Sequence, residues 1–377
     1  MNQHQVVKFP RYGLRGAKLL GIVTIGALVL AGCSTAGSQS GASQSGGNQH
    51  ADPKNIVLVE SVRSLSNPYH AQWVKGGQLF ADSIGAKLTV LTDEGDSQKQ
   101  LSGISSLASS GKTIVLNVDP NTNSDTQAIV RTVKASGGYA VTQWNRPDTL
   151  TPWGVGDNWV AHISFDGNVG GEKVANKLFA SMGGSGGIIA LQGILDNVSA
   201  KQRYAGLQKA LGSNSGIKLL DQQTANWDRN QAFKVTQTLL SKYGSKVKGV
   251  WAANDSMALG AIQALTAAGM VGKVPIVSAS DAVPEALQDI KAGKVGFLAT
   301  MSTDAYWQGG AGLALAYNAA IGKIDISKLT HEQRAFYGTQ TLVTKDNVDK
   351  ILTPPTAESL KADFADPFKR MTGAIQK

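Results

Sequence analysis

The sequence predicts an α/β protein made of two similar lobes, each a parallel sheet flanked by helices. From Asn55 onward, short runs of β-branched and aliphatic residues alternate with longer amphipathic segments. This alternation is typical of parallel strands joined by helical crossovers. The alternation breaks at an irregular stretch, 146–158, and then resumes, so the same pattern occurs twice.

The first series contains four predicted strands and three predicted helices. The apolar runs of the strands are continuous, which indicates a sheet covered by helices on both faces. The strands are predicted at 56–59, 88–91, 113–116 and 139–142, and the helices at 68–83, 98–109 and 125–135.

The second series repeats this arrangement with five predicted strands and five predicted helices. The strands are predicted at 187–191, 218–220, 250–253, 275–278 and 297–300, and the helices at 171–181, 197–211, 228–243, 255–267 and 284–291. Ligands of open parallel sheets bind beyond the carboxyl ends of the strands. The residues that follow the strands are therefore the candidate functional residues.

The first 33 residues are typical of an export signal that ends at the only cysteine. Four basic residues precede an uncharged apolar run, 19–30, which is shorter than the roughly twenty residues of a membrane-spanning helix. The sequence Leu30-Ala31-Gly32-Cys33 resembles the lipobox of bacterial lipoproteins. This resemblance implies that Cys33 is lipidated and anchors an exported protein to the cell membrane, with the folded part in the periplasm or outside the cell envelope. The alternative is an ordinary thiol at a signal-peptidase site.

The composition excludes a disulfide-stabilised fold, argues against a nucleic-acid partner and indicates a linker. A single cysteine excludes an intramolecular disulfide, so stability must come from the core. Part of the net charge of +9 belongs to the signal, and the rest is spread without a dense Lys/Arg tract, so no nucleic-acid partner is expected. The segment 34–52 is rich in Ser, Gly and Gln, which predicts a flexible linker.

Planar amides, carboxylates, guanidinium groups and aromatic rings follow the predicted strands. Arg and Asn side chains can bond two neighbouring hydroxyls, and Asp accepts hydrogen bonds from them. Aromatic rings match the C–H faces of a sugar. Together these groups predict a site for a polyhydroxyl ligand. Such groups stand at Asn67, Tyr69, His70, Asn117, Trp144, Asn145, Arg146, Gln192, Arg203, Trp227, Asn254, Asp255 and Asp281.

Several of these residues also have an ordinary structural explanation. Trp227 alone would more often be a packed aromatic residue, and Asn117 alone a turn residue. Asp255 fits a helix N-cap as well as a ligand contact. The joint occurrence of such groups at strand ends favours the shared site.

The chain from Asn55 to about Val343 resembles the ribose-type periplasmic sugar-binding proteins, the substrate-binding subunits of sugar ABC importers. The segments that carry the resemblance are Asn67-Pro68-Tyr69, Leu191-Gln192-Gly193, 199–206 with Arg203, Trp227-Asp228-Arg229 and 254–261. The resemblance implies the type I clamp of these proteins, with three hinge crossings near Ser164, Thr303 and Tyr337. The implied parts are a signal at 1–33, a linker at 34–52, a first lobe of 53–163 plus 304–336, a second lobe of 164–303 plus 337–350, and a tail at 351–377.

The resemblance also implies which residues contact the ligand: Asn67, Tyr69, His70, Asn117, Asn145 and Arg146 from the first lobe, and Arg203, Trp227, Asn254 and Asp281 from the second. The chain departs from the ribose-binding pattern at several of them. The paired Phe rings of the family are Tyr69 and His70 here, its Asp before Arg is Asn145, and a further Phe is Trp227. Larger rings leave less room. We therefore expect a small pentose or a four- or five-carbon sugar alcohol such as xylitol, threitol or erythritol.

The expected function is capture of this ligand by closure of the lobes, as a monomer that delivers it to the permease subunits of an ABC importer. No catalysis, cofactor or metal is expected, because the five His show no ligand spacing.

A binding protein for a chemoreceptor or sensor kinase remains an alternative. A hydrolase is disfavoured because Gly183-Gly184-Ser185-Gly186-Gly187 lies between a helix and a strand, the reverse of a nucleophile elbow. A sugar-responsive regulator would need a DNA-binding segment where the signal stands.

Overall fold

Two separate sheets organise the computed structural model, which describes residues 50–375. The strands are β1 (Ile56–Val62), β2 (Leu88–Thr92), β3 (Thr113–Val118), β4 (Tyr139–Gln143), β5 (Trp159–Ser164), β6 (Gly186–Gln192), β7 (Ile217–Thr224), β8 (Val247–Ala252), β9 (Ile276–Ser278), β10 (Phe297–Ser302), β11 (Ala335–Gly338), β12 (Thr341–Thr344) and β13 (Met371–Ala374).

Helices connect these strands on both faces of each sheet. The helices are α1 (Pro68–Ser83), α2 (Ser97–Ala108), α3 (Asp125–Ala135), α4 (Pro152–Val155), α5 (Gly167–Ser181), α6 (Val198–Gly212), α7 (Arg229–Tyr243), α8 (Asp255–Ala267), α9 (Pro284–Ala292), α10 (Ala305–Ala320), α11 (His331–Arg334), α12 (Val348–Leu352) and α13 (Ala357–Ala365).

The first five strands of each sheet have the same order, as the repeated pattern predicts. The first sheet has the order β13-β11-β5-β4-β3-β1-β2, and the second has the order β12-β10-β9-β8-β6-β7. In each, the first strand of the series lies between the second and the third, and these pairs are parallel. Such an order creates a switch point beyond the carboxyl ends of the strands, where ligands of α/β sheets bind.

Short polar side chains end the loops after the strands by capping the helices. Asn67 Oδ1 accepts from the Tyr69 backbone N–H at 3.0 Å, and Asn254 Oδ1 accepts from that of Met257 at 3.1 Å. These bonds satisfy otherwise free N–H groups at the helix starts. Consequently, the first turns of α1 and α8 are held at the edge of the sheets.

Three crossings between the lobes lie where the resemblance implies. The chain leaves the first sheet after Ser164, returns after Thr303 into α10, and passes from β11 to β12 just after Tyr337. We call these three connections the hinge. Helix α10 belongs to the first lobe, since it packs on α1, β3 and β4.

Most of the predicted C-terminal tail, 351–377, packs on the first lobe, from α13 to the end of β13. Helix α13 packs on α10 and α1, and β13 pairs antiparallel with β11. The chain therefore crosses between the lobes a fourth time, between α12 and α13. The apolar ring of Phe364, 6% exposed, makes this docking favourable.

Within residues 50–375 no helix is long and apolar enough to cross a membrane. The predicted signal, Cys33 and nearly all of the linker 34–52 lie outside the described residues.

Candidate functional site

A cavity of about 330 Å³ lies between the lobes at the carboxyl ends of both sheets. Its volume is at the small end of the range of ligand pockets, roughly 300–1,000 Å³. We call it the interlobe cavity. It is lined by Arg63, Ser64, Ser66, Asn67, Tyr69, His70, Glu94, Gly95, Asp119, Trp144, Asn145, Asn197, Ser199, Arg203, Asn226, Trp227, Asp228, Gln231, Asn254 and Asp281.

Eight of the ten predicted contact residues line this cavity. They are Asn67, Tyr69, His70 and Asn145 from the first lobe and Arg203, Trp227, Asn254 and Asp281 from the second. Strand ends far apart in the sequence therefore meet at one place, as the topology requires. The role of these side chains as ligand contacts stays a prediction.

The other two predicted residues, Asn117 and Arg146, do not line the interlobe cavity. Asn117 points into the first lobe, where its Nδ2 donates to Glu60 Oε2 at 3.1 Å and to the Gln308 carbonyl at 3.1 Å. Arg146 Nη1 donates to the Leu150 carbonyl at 2.6 Å, and the residue lines a second cavity. In this geometry both side chains serve other parts of the structure.

Trp144 forms one wall of the interlobe cavity, although it was not among the predicted contacts. Its Nε1 donates to the Tyr69 hydroxyl at 2.7 Å, and that hydroxyl donates to Gln308 Oε1 at 2.7 Å. These bonds fix two aromatic rings of the first lobe relative to each other. The sequence predicts the neighbouring Asn145 and Arg146 as contacts instead, because the side chains of Asn and Arg carry more hydrogen-bonding groups than that of Trp.

Arg203 lies between two indole rings, one from each lobe. Its guanidinium carbon is 4.8 Å from the ring centroid of Trp144 and 5.4 Å from that of Trp227. Both distances are within the range of cation–π attraction. Its Nη1 donates to the Ala253 carbonyl at 2.9 Å, which holds the group at the end of β8.

Gly193 has no side chain, and the Trp227 ring occupies the space where a Cβ would lie. A Cβ at Gly193 would lie 2.0 Å from a ring carbon of Trp227. The Trp227 Nε1 donates to Asn197 Oδ1 at 2.8 Å. The Leu191-Gln192-Gly193 segment therefore determines where this ring lies.

Three buried polar atoms of residues that line the cavity have no hydrogen-bond partner among the described residues. They are His70 Nδ1, Asn145 Oδ1 and Asp281 Oδ2. A buried polar atom without a partner raises the free energy by roughly 1–3 kcal/mol. Hydroxyl groups of a ligand can supply these bonds.

Asp281 and Arg203 are two lining residues of the cavity whose pKa values are shifted. Burial raises the pKa of Asp281, while the positive charge of Arg203 opposes the increase. Burial lowers the pKa of Arg203, and Asp281 opposes that change. The two groups thus support each other's charged form.

Asp255 acts neither as the N-cap of α8 nor as a lining residue. Asn254 is the N-cap, and Asp255 instead accepts from Thr300 Oγ1 at 2.7 Å and from the Val283 backbone N–H at 2.8 Å. Its carboxylate is fully buried, and burial, followed by the charge of Asp281, raises its pKa. Asp255 ties the loop that carries Asp281 to α8 and β10.

Unusual backbone conformations concentrate at the cavity. Among the described residues other than Gly, seven have a positive φ, and five of these line it. Such conformations raise the free energy and cluster at functional sites. The five are Glu94, Trp144, Asn226, Trp227 and Asp281.

The two lobes also contact each other at the rim of the cavity. The Asn123 backbone N–H donates to Asp196 Oδ2 at 3.3 Å, and Asn197 Nδ2 donates to the Asn121 carbonyl at 3.0 Å. The described structure is therefore a closed arrangement of the lobes.

The chemistry of this site is that of binding. Across residues 50–375, no group of three or more His, Cys, Asp or Glu side chains could hold a metal ion. The cavity combines flat rings with hydrogen-bonding groups, an arrangement that suits a small molecule with many hydroxyls.

Comparisons with known proteins agree with this fold. A crystal structure of a twin-arginine translocation pathway signal protein from Burkholderia phytofirmans has 42% sequence identity and a TM-score of 0.82, and the match covers 86% of this chain and 99% of that one. A ribose import binding protein of Escherichia coli is 34% identical over 62% of this chain and 75% of its own length. A xylitol-binding protein of Mycolicibacterium smegmatis is 34% identical over 51% of each chain.

The family described as periplasmic binding protein domain matches residues 59–324. This range contains the residues that line the interlobe cavity and both series of strands except the first three residues of β1. Because the match includes more than half of the sequence, the chain belongs to the periplasmic binding protein domain family.

Proposed function

We propose that this protein is the exported solute-binding subunit of an ABC importer and that it captures a small sugar or sugar alcohol by closure of its lobes. The ligand is a pentose or a four- or five-carbon polyol such as xylitol, threitol or erythritol. The observation that carries the proposal is the small interlobe cavity, whose walls combine aromatic rings with buried polar atoms that have no partner among the described residues.

The positions of these atoms support a ligand with several hydroxyls. Asn145 and His70 belong to the first lobe, and Asp281 belongs to the second. A polyhydroxyl ligand that bonds both lobes stabilises the closed form, because the open form would offer only half of these contacts. A ligand with one polar group would leave most of these atoms without partners.

The rings and the volume support a short ligand. Trp144, Trp227 and Tyr69 occupy space on opposite sides of a cavity of about 330 Å³. The names of two relatives also support a short ligand, since one is a ribose import binding protein and the other a xylitol-binding protein. Their names describe binding proteins, and binding without catalysis is what we propose here.

A ligand screen tests the proposal. We expect pentoses, tetritols or pentitols to raise the melting temperature of the purified protein, because a ligand at a hundred times its dissociation constant adds about 2.7 kcal/mol of stability. The same ligands should bind in calorimetry. Stabilisation by hexoses alone, or by amino acids alone, would contradict the proposed ligand class.

Two Trp→Ala variants make the screen specific to the site. Trp227→Ala should abolish the ligand-induced shift, because it removes one face of the cavity. Trp153→Ala is the matched control, since Trp153 stacks on His331 with 4.1 Å between ring centroids and does not line the cavity. It should keep the full shift.

We also propose that Cys33 carries the lipid anchor. A labelled fatty acid supplied to cells that express the full chain should be incorporated into the protein, and Cys33→Ala should eliminate the label. Equal labelling of both chains would overturn this part of the proposal.

Delivery to a permease is tested in cells that lack the protein. Their uptake of the labelled ligand should fall and should return with the wild-type chain. Normal uptake combined with a lost tactic or transcriptional response would favour a receptor or sensor kinase as the partner.

A further inference from the structure

A second cavity, of about 220 Å³, lies at the hinge. Ser164, which ends β5, and Tyr337, in β11, contribute to its walls, so it adjoins two of the crossings. We call it the hinge cavity. It is lined by Trp144, Arg146, Asp148, His162, Ser164, Val198, Gln202, Tyr337 and Ile375.

Among the described residues, Trp144 is the only one that lines both the hinge cavity and the interlobe cavity. It is buried, with 5% of its surface exposed. Trp144 is therefore part of the boundary between the two cavities.

Alternating residues of two segments confirm that the two cavities are neighbours. After Trp144, Asn145 lines the interlobe cavity and Arg146 lines the hinge cavity. At the start of α6, Ser199 and Arg203 line the interlobe cavity, whereas Val198 and Gln202 line the hinge cavity. These two segments and the Trp144 indole therefore separate the two cavities.

The Trp144 ring is held in this position from several sides. Its Nε1 bonds the Tyr69 hydroxyl at 2.7 Å, and the Phe165 ring centroid lies 5.0 Å from its own. Its backbone has a φ of 63°, which is uncommon for a residue other than Gly. A residue other than Gly that is held in this conformation raises the free energy of the fold, and such residues cluster at functional sites.

The hinge cavity is polar enough to receive part of a hydroxylated ligand. Arg146 is 2% exposed, and its Nε and Nη2 have no hydrogen-bond partner among residues 50–375. This edge of a guanidinium group can donate two parallel hydrogen bonds. The Tyr337 hydroxyl accepts from Gln202 Nε2 at 3.2 Å, which leaves its own proton available to a ligand oxygen.

We propose that Trp144 limits the length of the ligand by closing the interlobe cavity at its hinge end, and that the hinge cavity is an unused extension with Arg146 as its main donor. This inference rests on the proposed function. It also explains why Arg146, a predicted ligand contact, lies behind the indole. Replacing Trp144 by a small residue would join the two cavities and admit a longer polyol or a sugar with a bulky substituent.

The experiment measures the affinities of erythritol, xylitol, sorbitol and maltitol for four chains by calorimetry. The chains are the wild type, Trp144→Ala, Trp144→Phe and the control Trp153→Ala. We expect the wild type and the control to prefer the four- and five-carbon polyols. Trp144→Ala should shift the affinity ratio toward sorbitol or maltitol by at least tenfold, and Trp144→Phe should fall between them.

A double variant tests the role of the hinge cavity itself. Trp144→Ala combined with Arg146→Met should lose most of the gain for the longer ligands. A gain that persists in the double variant would show that the longer ligand does not reach Arg146. That result would overturn the assignment of the hinge cavity.

The outcomes separate this inference from the proposed function. If the wild type binds short polyols but Trp144→Ala shows the same ligand preference, the inference fails and the proposed function stands. If the wild type binds no sugar or polyol, both fail. If Trp144→Ala does not fold, Trp144→Phe decides the question, since an unchanged preference in that smaller ring would contradict the proposal.

Discussion

Gly193 controls the ligand site through a neighbouring ring, because any side chain there would collide with Trp227. Gly193→Ala should displace the indole and lower the ligand affinity by about tenfold or more, since overpacking of this kind costs roughly 1–3 kcal/mol. The dissociation constant, measured by calorimetry, checks the prediction. The matched control is Gly212→Ala, because a Cβ at Gly212 meets no atom within 4 Å. An unchanged affinity for Gly193→Ala would contradict the role assigned to this glycine.

Asp281 should make ligand binding depend on pH. Its ionised carboxylate accepts hydrogen bonds from hydroxyls, and burial raises the pKa at which it becomes protonated. Affinity should therefore fall as the pH decreases, and the fall should begin above the ordinary Asp pKa of about 4. Asp281→Asn should bind roughly tenfold or more weakly at neutral pH, because a hydrogen bond to a charged group contributes about 1.5–3 kcal/mol.

A pH titration of both chains by calorimetry separates this effect from general acid destabilisation. The affinity of Asp281→Asn should vary little over the same range. If the two chains showed parallel pH profiles, another group would be responsible.

At the residue scale, eight of the ten predicted contact residues line the interlobe cavity, which has twenty lining residues, but the sequence could not orient every side chain. Asn67, Asn254 and Asp281 follow regular strands, and the topology alone brings them to one edge. Trp144, Asn145 and Arg146 are consecutive, and the left-handed backbone at Trp144 decides which of them faces the ligand. No periodicity in the sequence encodes that conformation. Asn117 lies within β3, where the side chain faces α10 and the Glu60 carboxylate.

At the element scale, close helix packing positions the functional side chains. A Cβ at Gly171 would lie 2.0 Å from the Arg203 carbonyl oxygen, so α5 and α6 approach through a glycine. In the first lobe, a Cβ at Gly76 would lie 1.9 Å from the Tyr306 carbonyl oxygen, so α1 and α10 approach in the same way. The alternation of strands and helices predicts α1, α5 and α6 but not α10, and the closeness of both helix pairs depends on contacts far apart in the chain.

The C-terminal segment shows why short elements are harder to predict from sequence than the main strands of the two sheets. Arg370 donates to Asp304 Oδ2 and to Asp363 Oδ2, both at 2.6 Å, and Asp304 caps α10 at the hinge. Strand β13 has only four residues. A strand this short carries too little alternation to be recognised, and its pairing with β11 depends on the docking of α13.

Phe364 should contribute more to stability than its place near the end of the chain suggests. Its ring centroid lies 5.5 Å from that of Phe80, and it fills space above Gly310. Phe364→Ala should lower the free energy of unfolding by about 3–5 kcal/mol, as for other buried Phe residues. Denaturant unfolding measures this loss. Phe368→Ala, at a half-buried position, should lose less, and equal small losses at both would show that the segment adds little to the lobe.

For the whole molecule, the contacts across the rim connect ligand binding to closure. Asn197 accepts from the Trp227 indole of its own lobe and donates to the Asn121 carbonyl of the other. The ring that faces the ligand and the contact between lobes therefore share one side chain. The adjacent Asp196 also bonds the first lobe, but it lies at an exposed part of the rim. Of these two residues, only Asn197 bonds both the Trp227 ring and the other lobe.

Asn197→Ala should therefore weaken binding more than Asp196→Ala does. Two buried hydrogen bonds of about 1 kcal/mol each predict a loss of roughly tenfold or more for Asn197→Ala, and the exposed bond predicts about twofold for Asp196→Ala. The loss should appear mainly as faster ligand dissociation with a nearly unchanged association rate, because the bond from Asn197 to the Asn121 carbonyl of the other lobe forms only after closure. Stopped-flow measurements with a bound ligand distinguish the two rates. Equal effects of both variants, or a loss confined to the association rate, would mean that Asn197 does not hold the closed form.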